Sequence, residues 1–198
     1  EIVALSFCYK AKEAYYVPTS INPKERDKIL AIFKPLFENE RIEKVGQNIK
    51  YDYHILANHG IKLKGQLFDT MIAHYLLQAD MRHNMTVLAE TYLNYSPIKI
   101  ESIIGKGRAQ LNMRDLPAIK IKDYACEDAD ITWQLKTVFE PLLKEESLFS
   151  LFQEIEMPLV SVLAKMEREG INLDLGSLRM FSKELESSVK EIQDEIFD

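Results

Sequence analysis

Residues 119–144 read IKIKDYACEDADITWQLKTVFEPLLK, and the rest of the chain is best read outward from them. Ile121, Ala125, Ala129, Thr132, Leu135, Phe139 and Leu142 recur at helical spacing, which predicts one long helix with one buried face. Tyr124 and Asp128 are about one turn apart, so the phenol and the carboxylate share a side. That side is the shoulder of the buried face, where a carboxylate meets a metal ion and still reaches a cleft. Taken alone, the pair reads more simply as a solvated helix acid beside a half-buried tyrosine. What the other segments bring to it decides between the two.

The 198 residues suit one ordinary domain with a small appendage. A composition 46% hydrophobic and 28% charged, with only 7 Gly and 7 Pro, predicts a soluble globular protein without long low-complexity segments. Apolar runs are short and broken by charge, so neither a membrane span nor a signal sequence is expected. Cys8 and Cys126 stand far apart in no metal-like spacing, which predicts reduced thiols and a cytoplasmic protein. A net charge of −6 disfavours tight nonspecific binding to duplex nucleic acid. It is compatible with an enzyme that handles a strand end, because clustered acids hold divalent ions and those ions attract phosphate.

IVALSFCY (2–9) and EAYYV (13–17) predict an antiparallel hairpin that turns at Lys10–Lys12. Asn22-Pro23 starts a helix expected to run to about Glu38, to bury Ile29, Ile32, Phe33 and Leu36, and to kink at Pro35. Lys44–Gln47 predicts a short strand, and Asn48–Asp52 opens a helix that stops at Gly60. Leu67-Phe68 is a further short strand, with Asp69 as the cap of the helix TMIAHYLLQ. Helices follow at Met85–Leu93 and near Ile100–Ile104. Beyond Lys144, LFSLFQEIEMPLVSVLAKMEREG (148–170) predicts an amphipathic helix stopped by Gly170, and residues 175–198 a highly charged final helix. This order of strands and helices indicates an α/β layer protein without internal repeats.

The segment VGQNIKYDYHILANHG (45–60) places Asn48, Tyr51 and Asp52 at a strand end and the first turn of a helix, where ligands sit in open α/β sheets. An N–H cluster there suits phosphate, and an acid there suits a cation. As purely structural residues, Asn48 would be a cap, Tyr51 a packing residue and Asp52 a first-turn acid that complements the helix dipole. Set beside Tyr124 and Asp128, they form two acids on separate helices, each with a tyrosine nearby. Such acids converge on metal-assisted phosphodiester chemistry: hard oxygen ligands for Mg²⁺ or Mn²⁺, and a hydroxyl to orient the attacking water. His54, His59, His74 and His83 fit no zinc spacing. Gly105-Lys-Gly107 lacks the Lys-Ser/Thr of a phosphate loop, leaving Lys106 and Arg108 as a flexible basic contact.

In their order and spacing, VGQNIKYDYHILANHGIKLKGQLFDTMIAHYLL, MTVLAETYL, IIGKGRAQL and DYACEDADITWQL resemble the 3′–5′ exonuclease (proofreading) domain of the bacterial DNA polymerase I family, the family A polymerases. IEMPLVSVLAKMEREGINLD resembles the start of the polymerase domain that follows it. The resemblance implies a ribonuclease H-like fold, a mixed β-sheet flanked by helices and followed by C-terminal helices. It implies an exonuclease domain over 1–147 and the helical beginning of a polymerase domain over 148–198. It also implies removal of mismatched nucleotides from a single-stranded DNA 3′ end with two divalent ions, Mg²⁺ or Mn²⁺. The family's Asn-x-x-x-Asp motif falls on Asn48 and Asp52, and its Tyr-x-x-x-Asp motif on Tyr124 and Asp128. By resemblance, Asp128 ligates the main ion, Asp52 supports the second, and Tyr124 orients the water. Gln47, Asn48, Tyr51 and Arg82 would hold the single strand, and a base-stacking aromatic of relatives falls on Met113.

The family's remaining motif, Asp-x-Glu on the first sheet strand, has no match in residues 1–17, and IVALSFCY resembles the second strand instead. The expectation is a polypeptide impaired as a nuclease, from a parent that processes and synthesises DNA, with the first sheet strand absent. An unpaired inner edge would invite self-association. Two other readings compete: a non-catalytic exonuclease-like scaffold, disfavoured by the presence of Asp52, Tyr124 and Asp128, and a ribonuclease D-like exoribonuclease, disfavoured by residues 151–198.

Overall fold

The computed structural model describes residues 2–107 and 110–197; Arg108 lies outside the described residues. The hairpin strands are Ala4–Lys10 (β1) and Glu13–Pro18 (β2), antiparallel, reversing through Lys12 at φ 66°. Helix Pro23–Phe37 (α1) leads to Lys44–Gly46 (β3), helix Ile49–Asn58 (α2), Leu67–Asp69 (β4) and helix Thr70–Leu77 (α3). Helices Met85–Tyr92 (α4) and Ile100–Ile104 (α5) precede the long helix Ala118–Glu145 (α6). A short helix Phe149–Leu151 (α7) passes through a π-helical turn at Phe152–Glu156 into Met157–Glu169 (α8), and Leu175–Phe197 (α9) follows. Residues 1–165 and 166–198 form two compact units.

The capping residues act largely as their chemistry dictates. The Asn22 side chain accepts from the Lys24 N–H at 3.0 Å, and Pro23 fills the first turn of α1. α2 ends where Gly60, at φ 69°, lets the Gly60 and Ile61 N–H groups turn back onto Ala57 and Leu56. Pro35 does not break α1. The expected buried face of α1 needs correction: Ile32 is 73% exposed, and Leu30 is the buried residue. Phe7 stacks on Phe33 at 5.2 Å and tilts onto Phe37 at 6.0 Å, so the inner stripe runs through positions 30, 33 and 37. Ile32 therefore points away.

The fold is α/β with small sheets flanked by helices, as the resemblance implied. The strands form two separate pairs: β1 with β2, and β3 parallel to β4 in the register Val45↔Phe68 and Gly46↔Asp69. β1 and β3 each keep one edge unpaired among the described residues. Between those edges lies a cavity of about 770 Å³, lined by Ala4–Tyr9 on one side and Glu43–Gln47 on the other. α6 underlies both strand pairs. Asp130 ties the hairpin turn to it, accepting from the Lys12 backbone N–H.

The main core gathers Phe68, Leu88, Leu135, Phe139, Leu143 and Phe152, each fully buried, with Phe68 and Phe152 4.8 Å apart. Each such side chain contributes on the order of 2–3 kcal/mol. The α6 stripe buries Ile121, Thr132, Leu135 and Phe139 as expected; Ile131 and Leu143 join it in full, while Ala125, Ala129 and Leu142 are partly covered. The smaller unit differs: α9 has no buried residue, and Phe181, Leu185, Val189 and Ile192 lie exposed along it.

Candidate active site

Two parallel strands deliver two helix starts to one place. β3 ends at Gly46 and β4 at Asp69, residues paired in register, so α2 and α3 begin side by side. Gly46 permits the tight exit into α2, because a Cβ there would lie 2.9 Å from Ile49 Cγ1. Asn48 then takes the left-handed conformation, φ 59° and ψ 50°, which an asparagine tolerates.

Asn48 stands at the cap position of α2, but its side chain makes no capping bond. The cap comes from β4. The buried Asp69 carboxylate accepts from the backbone N–H of Asn48 (3.2 Å) and Ile49 (2.8 Å) on one helix, and of Met71 (2.8 Å) and Ile72 (3.3 Å) on the other. Asp69 is 1% exposed; burial pushes its pKa up and the four N–H donors oppose that. One carboxylate thus satisfies orphan donors of two helices. The sequence marked Asp69 only as the cap of α3. Its second role depends on the β3–β4 register, which no local pattern encodes.

With the strand exit fixed, Asp52 and Asp128 line the same cavity, one from α2 and one from α6. Asp52 is exposed where it lines the cavity. Burial, and then the charge of Asp69, pushes its pKa up to about 6. Asp128 is half-buried; burial pushes it to about 6 as well, Glu127 adds to the rise, and a hydrogen bond from Tyr124 opposes it. Tyr124 sits beside Asp128 on α6 and donates to it, and burial followed by the Asp128 charge raises the phenol pKa. The hydroxyl therefore stays protonated and available as a donor at neutral pH.

The strand-contact candidates are spread along the rim. Gln47 lines the cavity, where its amide donates to the His83 carbonyl at 2.7 Å and its oxygen accepts from the Thr70 hydroxyl. Asn48 is exposed and Tyr51 is 65% exposed. Arg82 is exposed on the loop between α3 and α4 and makes no hydrogen bond or ion pair among the described residues. Met113 lies in a 3₁₀ turn ahead of α6, half-buried.

The chemistry of the donor set suits a hard cation: two desolvated carboxylates gain most from an ion that replaces lost hydration. They fit it in part. No group of three or more His, Cys, Asp or Glu that could hold a metal ion occurs among the described residues.

A helix-flanked α/β domain, with two pKa-shifted acids lining one cleft and a tyrosine beside one of them on its helix, defines the class. The 3′–5′ exonuclease family of the A-type DNA polymerases matches residues 1–144, and the chain belongs to that family. The resemblance read from the motifs is borne out. The chain is 38% identical to a DNA polymerase I of Pseudomonas aeruginosa, over 100% of this chain and 23% of that protein. It is likewise 38% identical to a DNA polymerase I of Borreliella burgdorferi, over 99% of this chain and 22% of that one. It thus spans under a quarter of the length of these relatives. Among solved structures, the POL domain of Pol1 from M. smegmatis matches 90% of this chain and 28% of its own, with TM-score 0.71 and 22% identity. Brucella melitensis NrnC, solved with bound Mg²⁺, matches 81% of this chain and 75% of its own, with TM-score 0.60 and 19% identity. These last two show the fold.

Proposed function

We propose that this domain belongs to a DNA-synthesising parent and hydrolyses phosphodiester bonds at a single-stranded DNA 3′ end, with Mg²⁺ or Mn²⁺. The observation that carries the reading is the meeting of Asp52 and Asp128 in one cleft, with Tyr124 hydrogen-bonded to Asp128. Asp128 would hold the main ion and Asp52 a second. Such ions lower the pKa of bound water and neutralise charge on the phosphate. The chain's own residues do the rest. Tyr124 orients the attacking water through its hydroxyl, and Gln47, Asn48 and Tyr51 at the helix start, with Arg82 on the next loop, grip the last nucleotides. In this reading the exonuclease domain spans 1–147, residues 148–198 begin the helical polymerase domain, and the protein is cytoplasmic.

A polypeptide of these 198 residues lines the cleft with Asp52, Asp128 and Glu43, the last ion-paired with Lys136, and has no Asp-x-Glu. We expect it to be impaired alone, and to be completed by an Asp-x-Glu strand seated between β1 and β3. The same unpaired edges favour self-association. The deciding experiment is 3′-end digestion in Mg²⁺ by this polypeptide and by a version extended upstream. Activity in the extended form, lost on Asp128→Asn and exceeding that of the shorter form by at least about 100-fold, supports the reading. Equal, robust activity in both sinks the impairment, and preference for RNA over DNA sinks the DNA assignment. Light scattering of the 198-residue chain tests self-association; a monodisperse monomer would count against it.

A further inference from the structure

The mechanism above leaves one buried polar cluster unused. His74 on α3 is fully buried, yet both of its ring nitrogens are engaged. Nδ1 lies 2.7 Å from His83 Nδ1, and Nε2 lies 3.1 Å from Tyr92 Oη. Tyr92 and Phe139 wall the ring at 5.3 and 5.6 Å, and Tyr75 packs edge-on to His83 at 5.5 Å.

A nitrogen–nitrogen contact of this length needs one proton between the two rings. Two neutral imidazoles supply it when one offers N–H and the other a lone pair. Burial, and then the neighbouring His83, lowers the His74 pKa, which keeps that ring neutral and the contact intact. His83 is held a second time: its backbone carbonyl accepts from Gln47 Nε2 at 2.7 Å. The residue after it, Asn84, caps α4 through the Val87 N–H at 3.0 Å. The loop from Gln78 to Asn84 is thus fastened near its end from the core and from the cleft. Arg82, exposed, immediately precedes the fastened residue.

We infer that His74 and His83 form an imidazole latch that fixes the Arg82 loop beside Gln47, making His83 a positioning residue for the bound single strand. The inference rests on the reading of the cleft as a strand site. Without the latch the loop must be ordered at the moment of binding, and that ordering weakens the grip by about 3- to 10-fold.

The test uses the 198-residue chain, amide hydrogen exchange at residues 79–84, and fluorescence anisotropy of a single-stranded oligodeoxynucleotide with a hydrolysis-resistant 3′ end. His83→Ala should speed loop exchange about 10-fold and weaken binding about 3- to 10-fold. His83→Asn should restore both, because the amide oxygen takes the place of Nδ1 and accepts the His74 proton. In an Arg82→Ala background, His83→Ala should cost no further affinity, since the latch acts through that arginine. Unchanged loop exchange in His83→Ala overturns the latch, as does failure of His83→Asn to rescue or a fully additive loss with Arg82→Ala. If the unsubstituted chain binds no oligonucleotide, the strand-site reading fails, and loop exchange in the two His83 variants still decides the latch.

Discussion

Asp69 and Asp128 are acids of the same domain held in opposite ways. Asp69 is closed off from solvent and accepts from four backbone N–H groups at two helix starts. Asp128 faces a cavity, where a single phenol donates to it and burial pushes its pKa up to about 6. The first carboxylate completes the fold; the second is left wanting a partner. An acid that the fold needs is saturated by that fold, whereas a desolvated and under-partnered acid is the kind that the proposed chemistry would use.

The contrast is broken most sharply by removing Asp69. Asp69→Ala leaves four N–H groups at two adjacent helix starts without an acceptor, and the expected loss is about 3 kcal/mol. Urea denaturation should show the midpoint falling with little change in slope. Asp69→Asn should cost less: one side-chain oxygen can still serve Asn48, Met71 and Ile72, while its amide faces the Ile49 N–H. A midpoint unchanged in Asp69→Ala would mean that water reaches the junction and that the contrast is false.

Smaller in cost is Gly46→Ala, which tests the exit that brings both acids into one cleft. The new Cβ would lie 2.9 Å from Ile49 Cγ1 and 3.0 Å from Ile49 Cβ, atoms of a buried side chain. The expected loss is about 1–2 kcal/mol, measured in the same way.

Asp52→Asn and Asp128→Asn should move stability the other way. Both acids rise from an ordinary value of 3.8 to about 6, so folding favours their protonated forms. Their contribution is fully present below pH 3.8 and is lost as pH rises through 6. Each asparagine variant should therefore be more stable than the parent at pH 8, by about 1 kcal/mol after screening through the open cavity, and equal to it near pH 3.5. Loss of stability at pH 8 in either variant would make that acid structural, like Asp69.

The sequence carried Asp52, Tyr124 and Asp128 because a turn of helix fixes what lies on one side, and four-residue spacing is local. It carried α6 for the same reason, since a stripe at helical spacing is visible before its partners are known. What it could not carry is pairing. The register Gly46↔Asp69 makes Asp69 the cap of α2 as well as α3, displacing Asn48 from that task, and register is a long-range property. The face of α1 departs from its local pattern for a related reason: Phe7, distant in sequence, stacks on Phe33, and Ile32 lies outward. The His74–His83 contact joins α3 to the loop before α4, an approach no spacing rule predicts. A stripe such as that of α9 states that a face is apolar, and nothing local states what covers it.

The smallest expected effect separates the two kinds of acid most cleanly. Mg²⁺ should stabilise the folded chain only through carboxylates that are ionised and open to the cavity. At pH 8 both Asp52 and Asp128 are charged, and Mg²⁺ at a concentration equal to its Kd should add about 0.4 kcal/mol. At pH 5, below their pKa of about 6, the gain should largely vanish, because protons occupy the same oxygens. Asp128→Asn should abolish it at both pH values. Asp69 can contribute nothing, since each of its oxygens already faces backbone N–H groups and none faces solvent. Calorimetric melting with and without Mg²⁺ reads the difference. A gain that survives Asp128→Asn would put the ion elsewhere on the chain and remove the cleft's claim to it.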